Sequence, residues 1–377
     1  MYNEGLYRAP GPTRVLTIDA SHGEGGGQIL RAALSLAVTL QRPVTLTQVR
    51  IRRPKPGLQP QHLTVVRALA AISDAEVTGD ALDSTAVTFV PRTLRGGPYR
   101  FDVGAIRGSA GSVSLLFQAL LLPLALAPIP SHLTLVGGTH VPWSPPVHYL
   151  TEVFLPALRL LGLEAEVRLH RWGWYPKGGG EIEAHIVPSR RLEGLRWDGP
   201  SRPEAIVGVS AVCRLPATIA ERQRKRALER LSVTGLPVEI TTVGDAPALG
   251  PGSLLFLAAT GQRALAGFSA LGRRGVPAEA VADETAEPLL GYLRSGAAVD
   301  DHLADQLVPF LALAPEPSVF TCSSPSAHLA SVAWVVQQYL PVSVRVEAGR
   351  PARVHITPPG TSTARDGRVS APAPGPS

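Results

Sequence analysis

The chain alternates between two spacings of its apolar residues. In short stretches every second residue is apolar, which is typical of half-buried strands. In longer stretches apolar residues recur every three or four positions, which is typical of amphipathic helices. Across the first quarter of the sequence the predicted order is strand, helix, strand, helix, strand, strand. The strands are 13–19, 44–50 and the stretches AEVTGD and AVTFVP, and the helices are 27–40 and 62–72.

The same order returns twice. The second copy has strands at 99–103, 131–138, AEVRLH and GEIEAHIVP, with helices at 110–126 and 147–162. The third copy has a helix in DDHLADQLVPFLALA, a strand at 318–323, a helix at 326–339 and strands in VSVRVEA and RVHITP. Because two helices can cover one face of a four-stranded sheet, we predict an α/β (α+β) fold. In it, three β-α-β-α-β-β units form a large domain.

Residues 191–293 interrupt the repeats with strand AIVGVSAVC, the charged helix ATIAERQRKRALERL, and strands VEITTVG and SLLFLAAT. We interpret this region as a smaller inserted α/β domain. The predicted division is therefore 1–190 for repeats one and two of the large domain, 191–293 for the insertion and 294–357 for the third repeat. Residues 358–377 are low in complexity and rich in proline, and we predict that they are disordered.

The most apolar stretch, 113–129, contains Gln118 and Pro123 and is shorter than the roughly 20 unbroken apolar residues that span a bilayer. We predict a buried helix there and no membrane contact. The segment MYNEGLYRAPGPTR lacks the apolar core of a secretory signal. Cys213 and Cys322 are the only cysteines, which argues against a disulfide framework and fits a reducing compartment. We therefore expect a cytoplasmic location.

Glycines concentrate in HGEGGGQILR, residues 22–31, between a predicted strand and a predicted helix. Backbone N–H groups of such a loop can approach a phosphate, and the positive end of the helix dipole favours negative charge. The spacing matches neither a Walker A loop nor the dinucleotide GxGxxG pattern. A tight turn alone would explain the glycines, but Glu24 among them indicates a divalent cation beside the phosphate.

The formal net charge is +6, and nearly all of the positive charge is arginine. Arginine suits bidentate phosphate contacts, although a GC-rich genome produces the same bias. The charge is therefore compatible with nucleic acid and does not establish it. The segment RIRRPKPGLQPQH, 50–62, concentrates positive charge beside a Pro-Gly turn. It is either a solvated basic loop or a phosphate clamp that faces the glycine loop.

Other polar features stand at predicted turns or inside predicted helices. Gln118 lies within an apolar helix and must satisfy its amide, which favours a structural partner over a ligand. The HLADQ segment, 302–306, and the SPSAHL segment, which contains His328, each begin an apolar helix. Two strands flank YPKGGGE, 175–181, so we predict a hairpin turn that exposes Lys177.

In combination, these motifs resemble those of the RNA 3′-terminal phosphate cyclase family. GEGGGQILR, RPKPGL with QHLT, GSAGS, GGT with PP, HLADQLV and the SAHL helix start follow in the family's order between residues 13 and 357. The resemblance implies three copies of a domain similar to the C-terminal domain of a translation initiation factor, with a smaller domain inserted. It also implies an enzyme whose substrates are ATP and RNA with a 3′-terminal phosphate. Such an enzyme uses a divalent cation, Mg²⁺ or Mn²⁺, and makes a 2′,3′-cyclic phosphodiester.

The resemblance also implies roles for individual residues. His328 matches the histidine that attacks the α-phosphate of ATP and carries AMP, which passes to the RNA 3′-phosphate before the 2′-hydroxyl displaces it. His302 is the rival nucleophile, but the family does not require histidine at that position, where a tyrosine can stand. The remaining implied roles are catalysis by Glu24, Arg53 and Asp305, metal and ATP-phosphate binding by Glu24, RNA or phosphate binding by Arg31, Arg53 and His62, and ATP binding by Gln118, His302, Leu303, Ala304, Asp305 and Gln306.

Two alternatives remain at this point. The eukaryotic cyclase-like proteins of ribosome assembly are similar in fold and are considered to lack cyclase chemistry. The presence of His328 together with Glu24 and the other implied catalytic residues favours the enzyme. An enolpyruvyl transferase built from similar repeats would leave the HLADQ and SAHL segments unexplained. The sequence is compatible with a homodimer but does not determine the oligomeric state.

Overall fold

The computed structural model describes residues 15–199 and 201–360. Its first unit consists of β1 (Leu16–Asp19), α1 (Gly27–Thr39), β2 (Val44–Thr47), α2 (Pro60–Ser73), β3 (Glu76–Thr78) and β4 (Val87–Val90). β1 and β2 are parallel and the other pairs are antiparallel, in the order β1-β2-β4-β3. Val44 and Leu46 are buried while Thr45 and Thr47 are partly exposed, which is the alternation that predicted this strand.

The second unit repeats this plan. It consists of β5 (Pro98–Asp102), α3 (Val113–Ala125), β6 (Ser131–Gly137), a composite helix, β7 (Glu164–Arg171) and β8 (Gly180–Val187). The composite helix contains α4 (Val147–Tyr149), a π-helical turn (Leu150–Phe154) and α5 (Leu155–Arg159). The strand order β5-β6-β8-β7 corresponds to that of the first sheet. Residues 172–179 connect β7 to β8, and Lys177 is exposed there, as predicted.

A separate sheet follows the second unit along the chain. After β9 (Arg196–Trp197) come β10 (Ala205–Cys213), α6 (Thr218–Leu231), β11 (Val238–Val243), β12 (Gly252–Gly261), β13 (Ala264–Leu271) and α7 (Ala278–Ser295). The strand order of this sheet is β11-β10-β12-β13. The sequence analysis did not identify β13 and α7. Arginines of α6 form ion pairs with acids of α7, namely Arg222 with Glu279, Arg226 with Asp283 and Arg230 with Glu287.

The third unit corrects one detail of the prediction. It consists of β9, α8 (Asp301–Leu311), β14 (Ser318–Cys322), α9 (Ala327–Tyr339), β15 (Ser343–Glu347) and β16 (Ala352–Thr357). β9 pairs in parallel with β14, in the order β15-β16-β14-β9, so it supplies the first strand of this unit. A strand of two residues is too short to show an apolar period. We retain the inserted domain as a proposal, but its beginning moves from residue 191 to a point after β9.

A continuous hydrophobic core joins the three units. The apolar stretch at 113–129 contributes α3, most of whose residues are buried, as predicted. Val299 forms β-bridges with Leu265 of β13 and with Cys322 of β14. It thereby links the sheet of the insertion to the sheet of the third unit. No helix in the described stretches has the length and apolar character needed to cross a membrane. Most of the tail predicted to be disordered, 361–377, lies outside the described residues.

Candidate active site

Helices from all three units surround a cavity of about 670 Å³. α1, α8 and α9 each present their first turn to it. The first N–H groups of a helix have no intrahelical acceptors, and the helix dipole adds positive potential there, so this end of the cavity favours anions. Polar residues on its wall include Gln28, Arg31, Gln118, His302, Asp305, Gln306 and His328, and apolar ones include Leu115, Trp143, Tyr149, Phe268 and Phe310.

His328 is the second residue of α9. Ser326 caps this helix because its hydroxyl accepts a hydrogen bond from the N–H of Leu329 at 3.0 Å. Nδ1 of His328 lies 3.4 Å from Oε2 of Glu24, which stands in the glycine loop between β1 and α1. Within the described structure this Nδ1 atom is buried and has no hydrogen-bond partner. A carboxylate therefore lies close to one nitrogen of the ring without forming a hydrogen bond to it.

The surroundings of His328 keep its imidazole neutral. Burial lowers its pKa below the ordinary histidine value. The carboxylate of Glu24 opposes this shift, and His302, Arg31 and Arg53 lower the pKa further. A neutral imidazole keeps a free lone pair at pH 7 and can act as a nucleophile.

Glycine is required at two positions where polar side chains pack against the loop. A Cβ on Gly26 would lie 3.0 Å from Nη2 of Arg53. A Cβ on Gly27 would lie 2.5 Å from Nε2 of His62 and 3.0 Å from Nη1 of Arg31. The missing side chains therefore allow two arginines and a histidine to approach the start of α1 closely.

The basic segment 50–62 faces the glycine loop, as the clamp hypothesis predicted. Nη2 of Arg53 lies 3.9 Å from Oε2 of Glu24, so this carboxylate stands within 4 Å of both a guanidinium and the ring of His328. His62 lies in the first turn of α2, where its Nδ1 accepts a hydrogen bond from the N–H of Gln59 at 3.4 Å.

His62 is also neutral. Burial lowers its pKa to about 3, and the charges of Arg50 and Arg31 act in the same direction. Its Nε2 atom, which packs on Gly27, can therefore exchange hydrogen bonds with a phosphate but adds no positive charge to the site at neutral pH.

Two hydrogen-bonded pairs, each with a glutamine amide as donor, line the interior of the cavity. Nε2 of Gln28 donates to Oδ2 of Asp305 at 2.7 Å, and Nε2 of Gln118 donates to Oε1 of Gln306 at 2.9 Å. Burial raises the pKa of Asp305 well above its ordinary range, and Arg31 opposes that shift. Burial also lowers the pKa of Arg31 to about 10, which leaves this guanidinium charged at neutral pH.

The predicted site residues separate into three groups. Arg31, Gln118, His302, Asp305, Gln306 and His328 lie on the cavity wall. Glu24, Arg53 and His62 lie beside the glycine loop at its edge. The side chains of Leu303 and Ala304 are fully buried in the core and are absent from the cavity wall, so they offer no side-chain contact to a ligand there.

The described residues contain no group of three or more His, Cys, Asp or Glu side chains arranged to hold a metal ion. Glu24 supplies a single carboxylate near the helix starts. Mg²⁺ is commonly bound by one or two carboxylates together with substrate phosphates and water. The donor set therefore fits a cation that arrives with phosphate, and does not fit a cation held by the protein alone.

Sequence analysis did not identify Asp300 and Tyr149. Asp300 is buried at the start of α8 and accepts hydrogen bonds from the N–H groups of His302 and Leu303 at 2.9 and 2.8 Å. It also accepts from the hydroxyl of Tyr149 at 3.0 Å, which ties α8 to the composite helix. An aspartate just before an apolar helix is a recognisable cap signal, but nothing in the sequence connects it to Tyr149.

Trp143 was also missed. It lies on the cavity wall with 97% of its surface exposed, and its φ is +60°. A bulky residue rarely adopts this left-handed backbone, so the turn before the composite helix holds the ring out at some cost in free energy. The PWSPP sequence signals a turn, but not the exposure of this one ring.

The repeated units, the converging helix starts and the histidine–carboxylate contact define a class of α/β proteins with a cavity suited to phosphate. The sequence model of the RNA 3′-terminal phosphate cyclase family matches residues 22–346. A protein named RNA 3′-terminal phosphate cyclase from Methylococcus capsulatus is 46% identical over 355 residues, which cover 92% of this chain and 98% of that protein. One of the same name from Methanopyrus kandleri is 43% identical, with 92% and 99% covered. The chain therefore belongs to the RNA 3′-terminal phosphate cyclase family, as its motifs predicted.

The solved structure of an enolpyruvyl transferase, NikO from Streptomyces tendae, aligns with this chain at 15% sequence identity. The alignment covers 46% of this chain and 33% of the NikO chain. The TM-score of 0.26 is too low to bear on the fold or the function of this chain.

Proposed function

We propose that this protein is an ATP-dependent RNA 3′-terminal phosphate cyclase that works through a covalent histidine–AMP intermediate. The observation that carries the proposal is the position of His328, neutral, at a helix start on the cavity wall and 3.4 Å from Glu24. The names of the relatives at 46% and 43% identity support the same reaction.

In the first step, Nε2 of His328 attacks the α-phosphorus of ATP, since Nδ1 faces Glu24. The N–P bond forms, the bond from the α-phosphorus to the bridging oxygen breaks, and pyrophosphate leaves. The ring gains positive charge as the bond forms, and the carboxylate of Glu24 stabilises that charge. Arg31 and Arg53, with the N–H groups of the helix starts, stabilise the charge on the phosphate oxygens.

The cavity interior is suited to the nucleoside of ATP. Its volume of about 670 Å³ lies within the range of small-molecule sites. The amides of Gln118 and Gln306 can exchange hydrogen bonds with a base edge, and Phe268 and Phe310 offer apolar contact. His302 and Asp305 complete this part of the predicted ATP site.

In the second step, an oxygen of the RNA 3′-phosphate attacks the adenylate phosphorus, the N–P bond breaks and the ring is released. In the third, the 2′-hydroxyl attacks the 3′-phosphorus and loses its proton to solvent. The bond from that phosphorus to the AMP oxygen breaks, AMP leaves and the 2′,3′-cyclic phosphodiester remains. A phosphate monoester has no good leaving group for cyclisation, and adenylylation supplies one. Arg31, Arg53 and His62 lie around the glycine loop, where we place the phosphate of the RNA end.

A divalent cation, Mg²⁺ or Mn²⁺, bound between Glu24 and the ATP phosphates would neutralise charge on the triphosphate.

We also propose a cytoplasmic location, because the two buried cysteines, Cys213 and Cys322, are free thiols.

The direct test is incubation with ATP labelled at the α-phosphate or at the γ-phosphate, with Mg²⁺ or Mn²⁺. We expect the protein to take up the α-label only, in a bond that is labile to acid and stable to alkali. Addition of RNA with a 3′-phosphate should release labelled AMP and leave an RNA end that resists phosphatase. RNA binding without protein labelling or cyclisation would instead favour the non-catalytic, cyclase-like RNA-binding protein.

A further inference from the structure

Two loops of the second unit extend the surface of the site away from the glycine loop. Oε1 of Gln61, in the first turn of α2, accepts a hydrogen bond from the N–H of Ser112 at 3.0 Å, which joins α2 to the loop before α3. A Cβ on Gly178 would lie 3.0 Å from Cα of Ala110, so that loop in turn packs against the β7–β8 hairpin. The start of α2, the loop before α3 and the hairpin therefore form one continuous surface.

This surface carries positive charge that the protein does not neutralise. Arg107, in the loop before α3, and Lys177, in the hairpin, are exposed, and neither has an ion-pair partner within residues 15–199 and 201–360. The two neighbouring arginines behave differently, since Arg100 and Arg171 both pair with Glu181. Neither loop contains Asp or Glu between residues 104 and 112 or between 172 and 179.

An exposed aromatic residue lies two positions before one of these charges in the chain. Tyr175 is 70% exposed in the same hairpin as Lys177. The hairpin is anchored, because a Cβ on Gly250 would lie 3.4 Å from Cδ of Lys177 and one on Gly179 would lie 2.3 Å from Cδ1 of Leu249. Surfaces that bind single-stranded nucleic acid combine exposed cations for the phosphates with exposed aromatic rings on which bases stack.

We propose that Arg107, Tyr175 and Lys177, together called the strand track, bind the single-stranded part of the RNA that precedes its 3′-terminal nucleotide. The two cations contact phosphates, and Tyr175 stacks on a base. The inference rests on the proposed function, which places the terminal phosphate at the glycine loop. It adds a substrate class, namely RNA whose 3′ end is single-stranded over several nucleotides, with little dependence on base identity.

The track should discriminate between long and short substrates. We compare kcat/KM for a single-stranded oligonucleotide of about 16 nucleotides with that for a dinucleotide, both ending in a 3′-phosphate. Tyr175→Ala should lower the long-to-short ratio about tenfold, as expected for the loss of one stacked base, while Tyr175→Phe should retain the ratio. Both substrates report on the same folded fraction of enzyme, so partial misfolding does not change the ratio.

The charges have their own measurement and control. Replacing Arg107 and Lys177 together by alanine should make the salt dependence of oligonucleotide binding shallower by about 1.4 in log–log slope, at about 0.7 per phosphate contact. Arg159→Ala is the control. This exposed arginine ends α5, shortly before β7 begins, whereas the hairpin follows the other end of β7, so Arg159 is not part of the strand track. It should match wild type in both measurements.

The outcomes separate the two proposals. If the wild-type protein cyclises both substrates and the Tyr175→Ala ratio and the salt slope are unchanged, the strand track is wrong. If the wild-type protein cyclises neither substrate, the proposed cyclase function is wrong, whatever the variants show.

Discussion

Nδ1 of His328 lies 3.4 Å from Oε2 of Glu24, and this contact joins the third repeat of the chain to the first. The imidazole stands in the first turn of α9, and the carboxylate stands in the loop between β1 and α1. The contact exists only when the two units pack together, so folding of the whole core assembles the proposed nucleophile. It also influences the titration of the ring, because Glu24 raises the pKa of His328 while burial, the larger effect, lowers it.

Glu24→Gln should move the acid limb of self-adenylylation to lower pH. The neutral ring is the nucleophile, so the rate falls as the pH drops through the pKa of His328, which burial holds below the ordinary value. Removing the carboxylate removes the influence that raises this pKa, so protonation then requires a lower pH. A pH profile of α-label incorporation, scaled to the plateau of each variant, measures the shift. Glu164→Gln, exposed in β7, is the control, and a limb displaced to higher pH would contradict the assignment.

His328→Ala should abolish the covalent label, whereas His302→Ala should retain it at saturating ATP. His302 lines the cavity, so its loss should raise the KM for ATP about fivefold, equivalent to a hydrogen bond of about 1 kcal/mol. Label incorporation against ATP concentration distinguishes the two variants. If the label survived in His328→Ala and disappeared in His302→Ala, the nucleophile would be His302 in α8.

Asp305→Asn should bind ATP nearly as well as wild type, and Asp305→Ala should not. Burial raises the pKa of Asp305 well above its ordinary range, and asparagine resembles the protonated carboxyl in shape and lack of charge. The asparagine oxygen can still accept the hydrogen bond from Gln28, whereas alanine leaves the Gln28 amide unpaired at a cost of about 1–3 kcal/mol. Calorimetric titration with ATP gives both affinities. Equal losses in the two variants would show that the ionised carboxylate is needed.

Much of the site could be predicted because its signals are local. The glycine loop, the basic segment and the starts of α8 and α9 each show their polar residues within a few positions of an apolar helix. Contacts between distant segments carry no such signal. The Gln118–Gln306 pair joins residues 188 positions apart, and sequence analysis could state only that the Gln118 amide needs a partner.

The fold shows the same limit. The three repeats were recognisable because each has several strands and helices of normal length with a clear apolar period. The strand Arg196–Trp197 has two residues and was placed in the insertion, since only its pairing with β14 reveals where it belongs. Leu303 and Ala304 were assigned to ATP binding by their position in a motif, yet their side chains fill the core, because a helix that supports a site must also bury its opposite face.

ATP binding should alter the fluorescence of Trp143. This ring is 97% exposed at the cavity, whereas Trp172, Trp174 and Trp197 are buried and Trp334 stacks on a histidine ring. A nucleotide in the cavity would cover Trp143, shift the emission to shorter wavelength and reduce quenching by iodide. Trp143→Phe should remove the ATP-dependent part of the signal. An unchanged response in that variant would show that the nucleotide lies elsewhere.

Gly27→Ala should lower catalytic efficiency without the gain in stability that alanine normally brings to a helix. The new Cβ would lie 2.5 Å from Nε2 of His62 and 3.0 Å from Nη1 of Arg31, so both side chains must move away from the phosphate site. We expect kcat/KM to fall about tenfold, equivalent to 1.4 kcal/mol. Gly291→Ala is the control, since only Arg294 comes within 4 Å of its added Cβ inside α7. That variant should keep wild-type kinetics and raise the free energy of unfolding in urea by about 0.5–1 kcal/mol. Equal kinetics for the two variants would mean that close packing on the loop does not position the phosphate-binding groups.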